Sequence, residues 1–292
     1  MAVLLSKLGA RYWVLDLFTH FQQQYALGLA VVTAGAFLTR HFRTALAAGL
    51  VLLLPLGALS YYLPPRPFPE APGAPALRIM TFNVLRSNDR HADVLAWLLE
   101  QDPDVLVLFE IDPLWSDHLV PLESVYRYRT ARVRSDAFGV AIYSKFPIRN
   151  ERITGSGRHT VPCVQADLAW PPATFRLFAM HPVPPISRRT ADNRNEYLRK
   201  FAPLIARCEG AVVAAGDFNC SPWSSHFKRF LAESALIDSG RRRGFQSTWH
   251  RGNPLLSIPI DHVLHTPHFT CTARRIGPPL GSDHRAVTAT LA

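Results

Sequence analysis

Six short, mostly apolar or small-residue runs in this chain of 292 residues each lead into Asn, Asp, Glu or His. Residues 79–82 reach Asn83, 105–109 reach Glu110, 175–180 reach His181, and 211–216 reach Asp217-Phe218-Asn219. Residues 258–260 reach Asp261-His262, and Gly281-Ser282 reach Asp283-His284. One such ending is ordinary loop punctuation. Six together, all carboxylate, amide or imidazole, suggest a converging site. A hard cation such as Mg²⁺ takes carboxylate oxygen together with water and substrate oxygen, and Glu110 supplies such an oxygen. Hydrolysis of a phosphate ester also needs an acceptor for the attacking water and donors for the charge that develops. Asp217 and Asn219 alternate with Phe218, so an extended chain puts both on one face with Phe218 packed away; the same four residues from Gly216 are also good turn chemistry. Asp261 on one strand can orient His284 on a neighbour and stabilise its protonated ring. His262, pointing the opposite way from Asp261, is expected to be structural.

These residues need strands to position them. Strands are expected at 77–84, 104–110, 139–144, 164–169, 174–181, 211–215, 259–264 and 286–291, with helices at 92–100 and 191–208. Apolar residues reach 48% but charged ones only 18%, and 24 prolines with 16 glycines are too few for a collagen-like or low-complexity chain. The charge is unevenly placed. Residues 1–65 hold only Lys7, Arg11, Asp16, Arg40 and Arg43, while the rest carries a net +7 of the total +10. A basic balance suits a polyanionic partner. Cys163, Cys208, Cys220 and Cys271 show no zinc-type spacing.

No charge occurs from Thr44 to Pro65. At about 1.5 Å per residue, 44–63 is long enough for a hydrocarbon core of about 30 Å, and 21–39 is a second candidate span. The link Arg40-His41-Phe42-Arg43 makes the two a transmembrane helical hairpin. Residues 3–24 are expected as an interfacial amphipathic helix or part of a further span. Arg40 and Arg43 favour a cytoplasmic link and an extracytoplasmic domain; Lys7, Arg11 and Arg66 favour the reverse. The expected division is a membrane region at 1–65, a proline-rich linker at 66–76 and a catalytic domain at 77–292.

Met80-Thr81-Phe82-Asn83-Val84, Leu108-Phe109-Glu110-Ile111, His181-Pro182, Gly216-Asp217-Phe218-Asn219, Ile260-Asp261-His262 and Gly281-Ser282-Asp283-His284 together resemble the endonuclease/exonuclease/phosphatase superfamily. These are magnesium-dependent phosphoesterases related to DNase I. The 139–144 string fits as well, and residues 1–65 resemble the anchor of a membrane-bound bacterial branch. The resemblance implies an α/β four-layer sandwich, two packed and mainly antiparallel sheets flanked by helices. It implies Glu110 as principal Mg²⁺ ligand with Asn83 and Asp283 nearby, Mn²⁺ being a possible substitute. Asp217 would position or deprotonate water, Asn219 and His181 would hold phosphate, and Asp261 would orient His284 against the transition state.

Basic residues follow His181 at Arg188, Arg189, Arg194, Arg199 and Lys200, and a second run, Arg241-Arg242-Arg243, precedes Phe245 and Trp249. Arg188, Arg189 and Trp249 are the candidates for substrate binding. A membrane-anchored hydrolase of a lipid-linked phosphate ester or pyrophosphate is the leading expectation. A tethered nuclease acting on DNA or RNA is the alternative, and a non-catalytic binding domain is a third. No obligate protein partner is evident.

Overall fold

In the computed structural model, which describes residues 1–6, 8–156, 161–171, 173–249, 253 and 255–292, two six-stranded sheets stack face to face. Lys7, one of the charges weighed for topology, lies outside the described residues. The chain opens with α1 (Ala2–Ser6), α2 (Trp13–Leu17), a 3-10 turn over Phe18–Phe21, α3 (Gln22–Leu38) and α4 (Phe42–Leu59). Then come β1 (Leu77–Asn83), α5 (His91–Gln101), β2 (Val105–Phe109), α6 (Pro113–His118), β3 (Tyr128–Arg132), β4 (Val140–Ser144), β5 (Ile148–Ser156) and β6 (Val161–Leu168). The last part holds β7 (Phe175–Met180), α7 (Arg188–Ala206), β8 (Ala211–Asp217), α8 (Ser225–Ser234), β9 (Ile237–Asp238), β10 (Asp261–His265), β11 (Cys271–Ile276) and β12 (Val287–Leu291).

The strand orders are β11-β12-β1-β2-β4-β3 and β5-β6-β7-β8-β10-β9. Only β1–β2 and β7–β8 run parallel among these pairs. Both sheets are covered on both faces, which is why their central strands read as mostly apolar runs. In β2, Val105, Val107 and Phe109 enter the core between the sheets, while Leu106 and Leu108 pack outward. In β8, Val213 and Ala215 face inward and Val212 and Ala214 face the layer of α7 and α8. Helix α7 starts at Arg188, three residues before its expected start, because Ser187 and Thr190 form a reciprocal capping box. The expected strand at 259–264 also shifts: β10 begins at Asp261.

The four strands absent from the sequence reading are β3, β5, β9 and β11, the four sheet edges. At the front of the chain, α3 and α4 form a hairpin closed at its tip by Phe37 and Phe42, whose rings lie 5.7 Å apart. Leu27, Val31 and Val32 of α3 and Leu46, Leu50, Leu53 and Leu56 of α4 are exposed. Helix α4 is long and apolar enough to cross a membrane, and it continues through Pro55. Among the described residues of 3–24 there is no single amphipathic helix. Asp16, Thr19 and His20 turn inward and are buried, breaking the run into short turns, while Leu4, Leu8, Tyr12 and Val14 face outward.

Candidate active site

The two parallel pairs explain why the polar residues meet. Asn83 is opposite Phe109, so Glu110 follows directly beside it. Met180 is opposite Gly216, which sets His181 beside Asp217. Two antiparallel neighbours then enter the same rim by their starting ends: Asp261 pairs with Asp217, and His284 lies just before β12. Thus Asp261 and His284 sit at strand beginnings rather than strand ends. Gly216 makes the close approach possible. It adopts φ +152°, and a Cβ there would lie 1.9 Å from the Met180 carbonyl oxygen. Glu110 and Asn219 take φ of +63° and +48°, a conformation that costs energy for a side chain like Glu110 and is commoner for Asn.

Asp217 is the hub. Its Oδ2 lies 3.3 Å from His181 Nε2 and 3.5 Å from His284 Nε2. The side-chain amides of Asn83 and Asn219 donate to the same oxygen at 3.3 and 3.4 Å, and the Asn219 N–H donates to Oδ1 at 2.8 Å. The turn and the shared site therefore coexist. The left-handed backbone at Asn219 closes the turn and swings its amide back to Asp217, while Phe218 is buried against Phe227 and Phe230. On the other side of His284, Nδ1 meets Asp261 Oδ2 at 2.9 Å. Burial by itself would raise the Asp217 carboxyl, but His284, His181 and the hydrogen bonds around it hold it down at about 2. Burial opposes a charged ring at His284, yet Asp261 and Asp217 lift its pKa to about 10. The Asp261 carboxyl is pushed above its ordinary value by burial, against the pull of His284.

Beside this hub the Asn83 amide also donates to Glu110 Oε1 at 3.0 Å, and the backbone N–H of Arg86 donates to Glu110 Oε2 at 2.9 Å. Asp283 Oδ2 accepts from Trp249 Nε1 at 3.1 Å, whereas Asp283 Oδ1 is buried with no partner among the described residues. Oxygen-rich carboxylates, one with an orphaned atom, fit a hard divalent cation. Asp217, Asp261 and His284 also bring potential ligand atoms within 4.8 Å of one another. An imidazolium held between two carboxylates has no lone pair for a metal, so this trio is better described as a proton-holding relay.

Arg188 and Arg189 occupy the exposed first turn of α7, with Arg188 3.9 Å from Asp192. Arg194 is not a solvent-facing clamp. It is 1% exposed, ion-paired with Asp16 at 2.6 Å, and donates to the Asn219 carbonyl oxygen at 2.8 Å. Arg241-Arg242-Arg243 lies against α4 and the linker, since the Arg242 and Gly244 amides donate to the Tyr61 and Tyr62 carbonyls. His262 is structural: its Nδ1 lies 3.4 Å from Asp238 and its Nε2 3.0 Å from the Cys220 carbonyl oxygen. Two supports escaped the sequence reading. The Thr248 hydroxyl accepts from the amides of Ile260 and Asp261, and Ser282 joins the Asn83 carbonyl to the His284 amide.

The two stacked sheets are shared with solved structures. A humanized D. rerio TDP2 superposes with a TM-score of 0.63 at 18% identity, over 74% of this chain and 99% of the other. Sphingomyelinase C from Streptomyces griseocarneus gives 0.55 at 18% identity, over 74% and 99%. The 3′ phosphatase NExo from Neisseria, bound to a product DNA hairpin, gives 0.59 at 21%, over 73% and 98%. At these identities the likeness is one of fold. No curated protein matches the chain. Residues 80–284 match the family model described as the Endonuclease/Exonuclease/phosphatase family, so the chain belongs to that family of phosphoester hydrolases.

Proposed function

We propose that the chain is a membrane-anchored phosphoesterase that hydrolyses a lipid-linked phosphate ester or pyrophosphate by in-line attack of water. The observation that carries the chemistry is Asp217 among four donors beside the Glu110–Asn83 bridge. Glu110, Asn83 and Asp283 would hold Mg²⁺, or Mn²⁺ in its place. When bound, the cation would neutralise charge on the phosphoryl group. Asp217, kept ionised by His284 and His181, accepts a hydrogen bond that aims the attacking water and takes its proton as the bond to phosphorus forms. His284, kept protonated by Asp261, donates to the charge developing on phosphorus, and Asn219 and His181 hold phosphoryl oxygens. The His181 Nδ1 atom, buried and without a partner among the described residues, suits a ring that awaits a ligand. Arg188 and Arg189 would meet the rest of the substrate, with Trp249 fixing Asp283 at the rim.

The lipid reading rests on the exposed apolar hairpin, with its tip arginines on the cytoplasmic side and the catalytic domain outside. Purified full-length protein offered a lipid pyrophosphate, a sphingomyelin-type lipid and plasmid DNA side by side tests this. Turnover of a lipid that stops on chelation is expected; DNA nicking without lipid turnover would replace it with a tethered nuclease. Full protection of residues 66–292 from protease added to intact cells would overturn the extracytoplasmic placement.

A further inference from the structure

The foot of α4, the proline-rich linker and the end of β10 away from Asp261 enclose an open groove of about 930 Å³. Arg66, Lys228, Arg241, Arg242 and Arg243 line it, and Asp238 is its one lining carboxylate among the described residues. Asp238 is already committed: it accepts from the Tyr61 hydroxyl at 2.9 Å and the Gly240 amide at 2.8 Å, and lies 3.4 Å from His262. The groove therefore holds a surplus of positive charge.

Arg242 and Arg243 are held in place by uncharged groups. Arg242 donates from Nη1 to the Leu63 carbonyl oxygen at 3.0 Å, and Arg243 donates to those of Arg66 and Pro67 at 2.8 and 2.7 Å. Arg243 also stacks over Phe68, 4.0 Å from the ring centre. Carbonyls fix a guanidinium but leave its charge. The Nε atoms of both Arg242 and Arg243 are buried with no partner among the described residues. Buried donors without acceptors cost free energy until something supplies one, and a fixed arginine fork matches phosphate.

The position selects the phosphate. Gly57, Ala58, Ser60 and Tyr61, at the end of the membrane-length helix, form the other wall. If α4 spans, headgroups lie at that level, where clustered basic residues attract anionic lipid. We propose that this groove binds the phosphate headgroup of an anionic lipid, at a site separate from the Asp217 hub. The inference rests on the membrane reading of the hairpin.

Detergent-solubilised full-length protein, titrated with short-chain phosphatidylglycerol and followed by tryptophan fluorescence, tests it, because Trp223 lines the groove. Saturable binding is expected, with an affinity at least tenfold above that for short-chain phosphatidylcholine. Arg241→Glu together with Lys228→Glu should weaken it at least tenfold while leaving the circular-dichroism melt intact. Equal affinity for the two lipids, or undiminished binding in the double variant, overturns the proposal. Inorganic phosphate competing as well as the lipid would make it a plain phosphate site, and stronger competition by a single-stranded oligonucleotide would make it a nucleic-acid groove; either outcome overturns it. Carbonate extraction of cell membranes separates the two layers of argument. Protein that stays in the membrane but ignores phosphatidylglycerol sinks the groove alone, and protein released by carbonate sinks both.

Discussion

Asp217 and His284 are both buried, 3.5 Å apart, where their surroundings favour a carboxylate on one and a protonated ring on the other. Replacing Asp217 with Asn or His284 with Ala should lower kcat by about 10²–10⁴ with KM little changed, measured on whichever substrate the panel identifies. The pair also predicts a pH dependence of stability. His284 titrates at about 10 against an ordinary 6.5, so its contribution is complete below pH 6.5 and is lost as pH rises toward 10. Asp217, lowered from 3.8 to about 2, contributes above pH 3.8 and ceases to as pH falls toward 2. Thermal melts with chelator present should show both limbs, and His284→Gln should flatten the alkaline one. Trp249→Phe removes the donor to Asp283 Oδ2; the cation concentration for half-maximal activity should rise about 10–100-fold. Asp217, Asn219, Asp261 and His284 stood out in the sequence because carboxylate, amide and imidazole groups cluster there beside apolar runs. Thr248 and the bridging role of Ser282 stayed hidden, since hydroxyls in loops have no distinguishing pattern.

Strands β1, β2, β7 and β8 were legible as mostly apolar runs, broken only by Arg78 and Thr81 in β1 and Arg176 in β7 before their polar ends, whereas the edge strands were not. Tyr128–Arg132 carries two arginines, Ile148–Ser156 carries Arg149, Glu151 and Arg152, and Cys271–Ile276 carries exposed Arg275 beside the buried Arg274. A strand paired on one side only is exposed to edge-to-edge association, and charged side chains guard it; the same charges erase its hydrophobic signature. Helix α7 hid something else. Arg194 looked like one of a row of surface cations, and only its distant partner Asp16, 178 positions away, makes it a core residue. Removing Asp16 alone, as Asp16→Ala, should cost about 3–5 kcal/mol in denaturant melts, because a buried charge is left unpaired. The double variant Asp16→Leu with Arg194→Met should recover most of that loss. Its kcat should stay depressed, because Met cannot donate to the Asn219 carbonyl oxygen as Arg194 does.

Hairpin and sandwich share more than a linker. His20 Nδ1 lies 2.8 Å from the Ser221 hydroxyl, the Ser224 hydroxyl donates to Asp16 Oδ1 at 2.8 Å, and Trp223 donates to the Ala58 carbonyl oxygen at 3.0 Å. Three residues of the loop that follows Asn219 thus rest on the chain before Tyr61. A protein starting at Leu77 should be less stable and less active than the full chain, and Arg194→Met should stabilise that shortened protein although it harms the complete one. Comparing the melts of the two shortened proteins checks the ordering. Time adds a constraint of its own. Asp16 is synthesised 178 residues ahead of Arg194, an interval of roughly 10–35 s at ordinary rates of translation. The α3–α4 hairpin therefore leaves the ribosome long before β8 exists. The loop bearing Asn219 can rest on Asp16 only after Arg194 and Ser224 have been made, so this end of the site is completed late in synthesis.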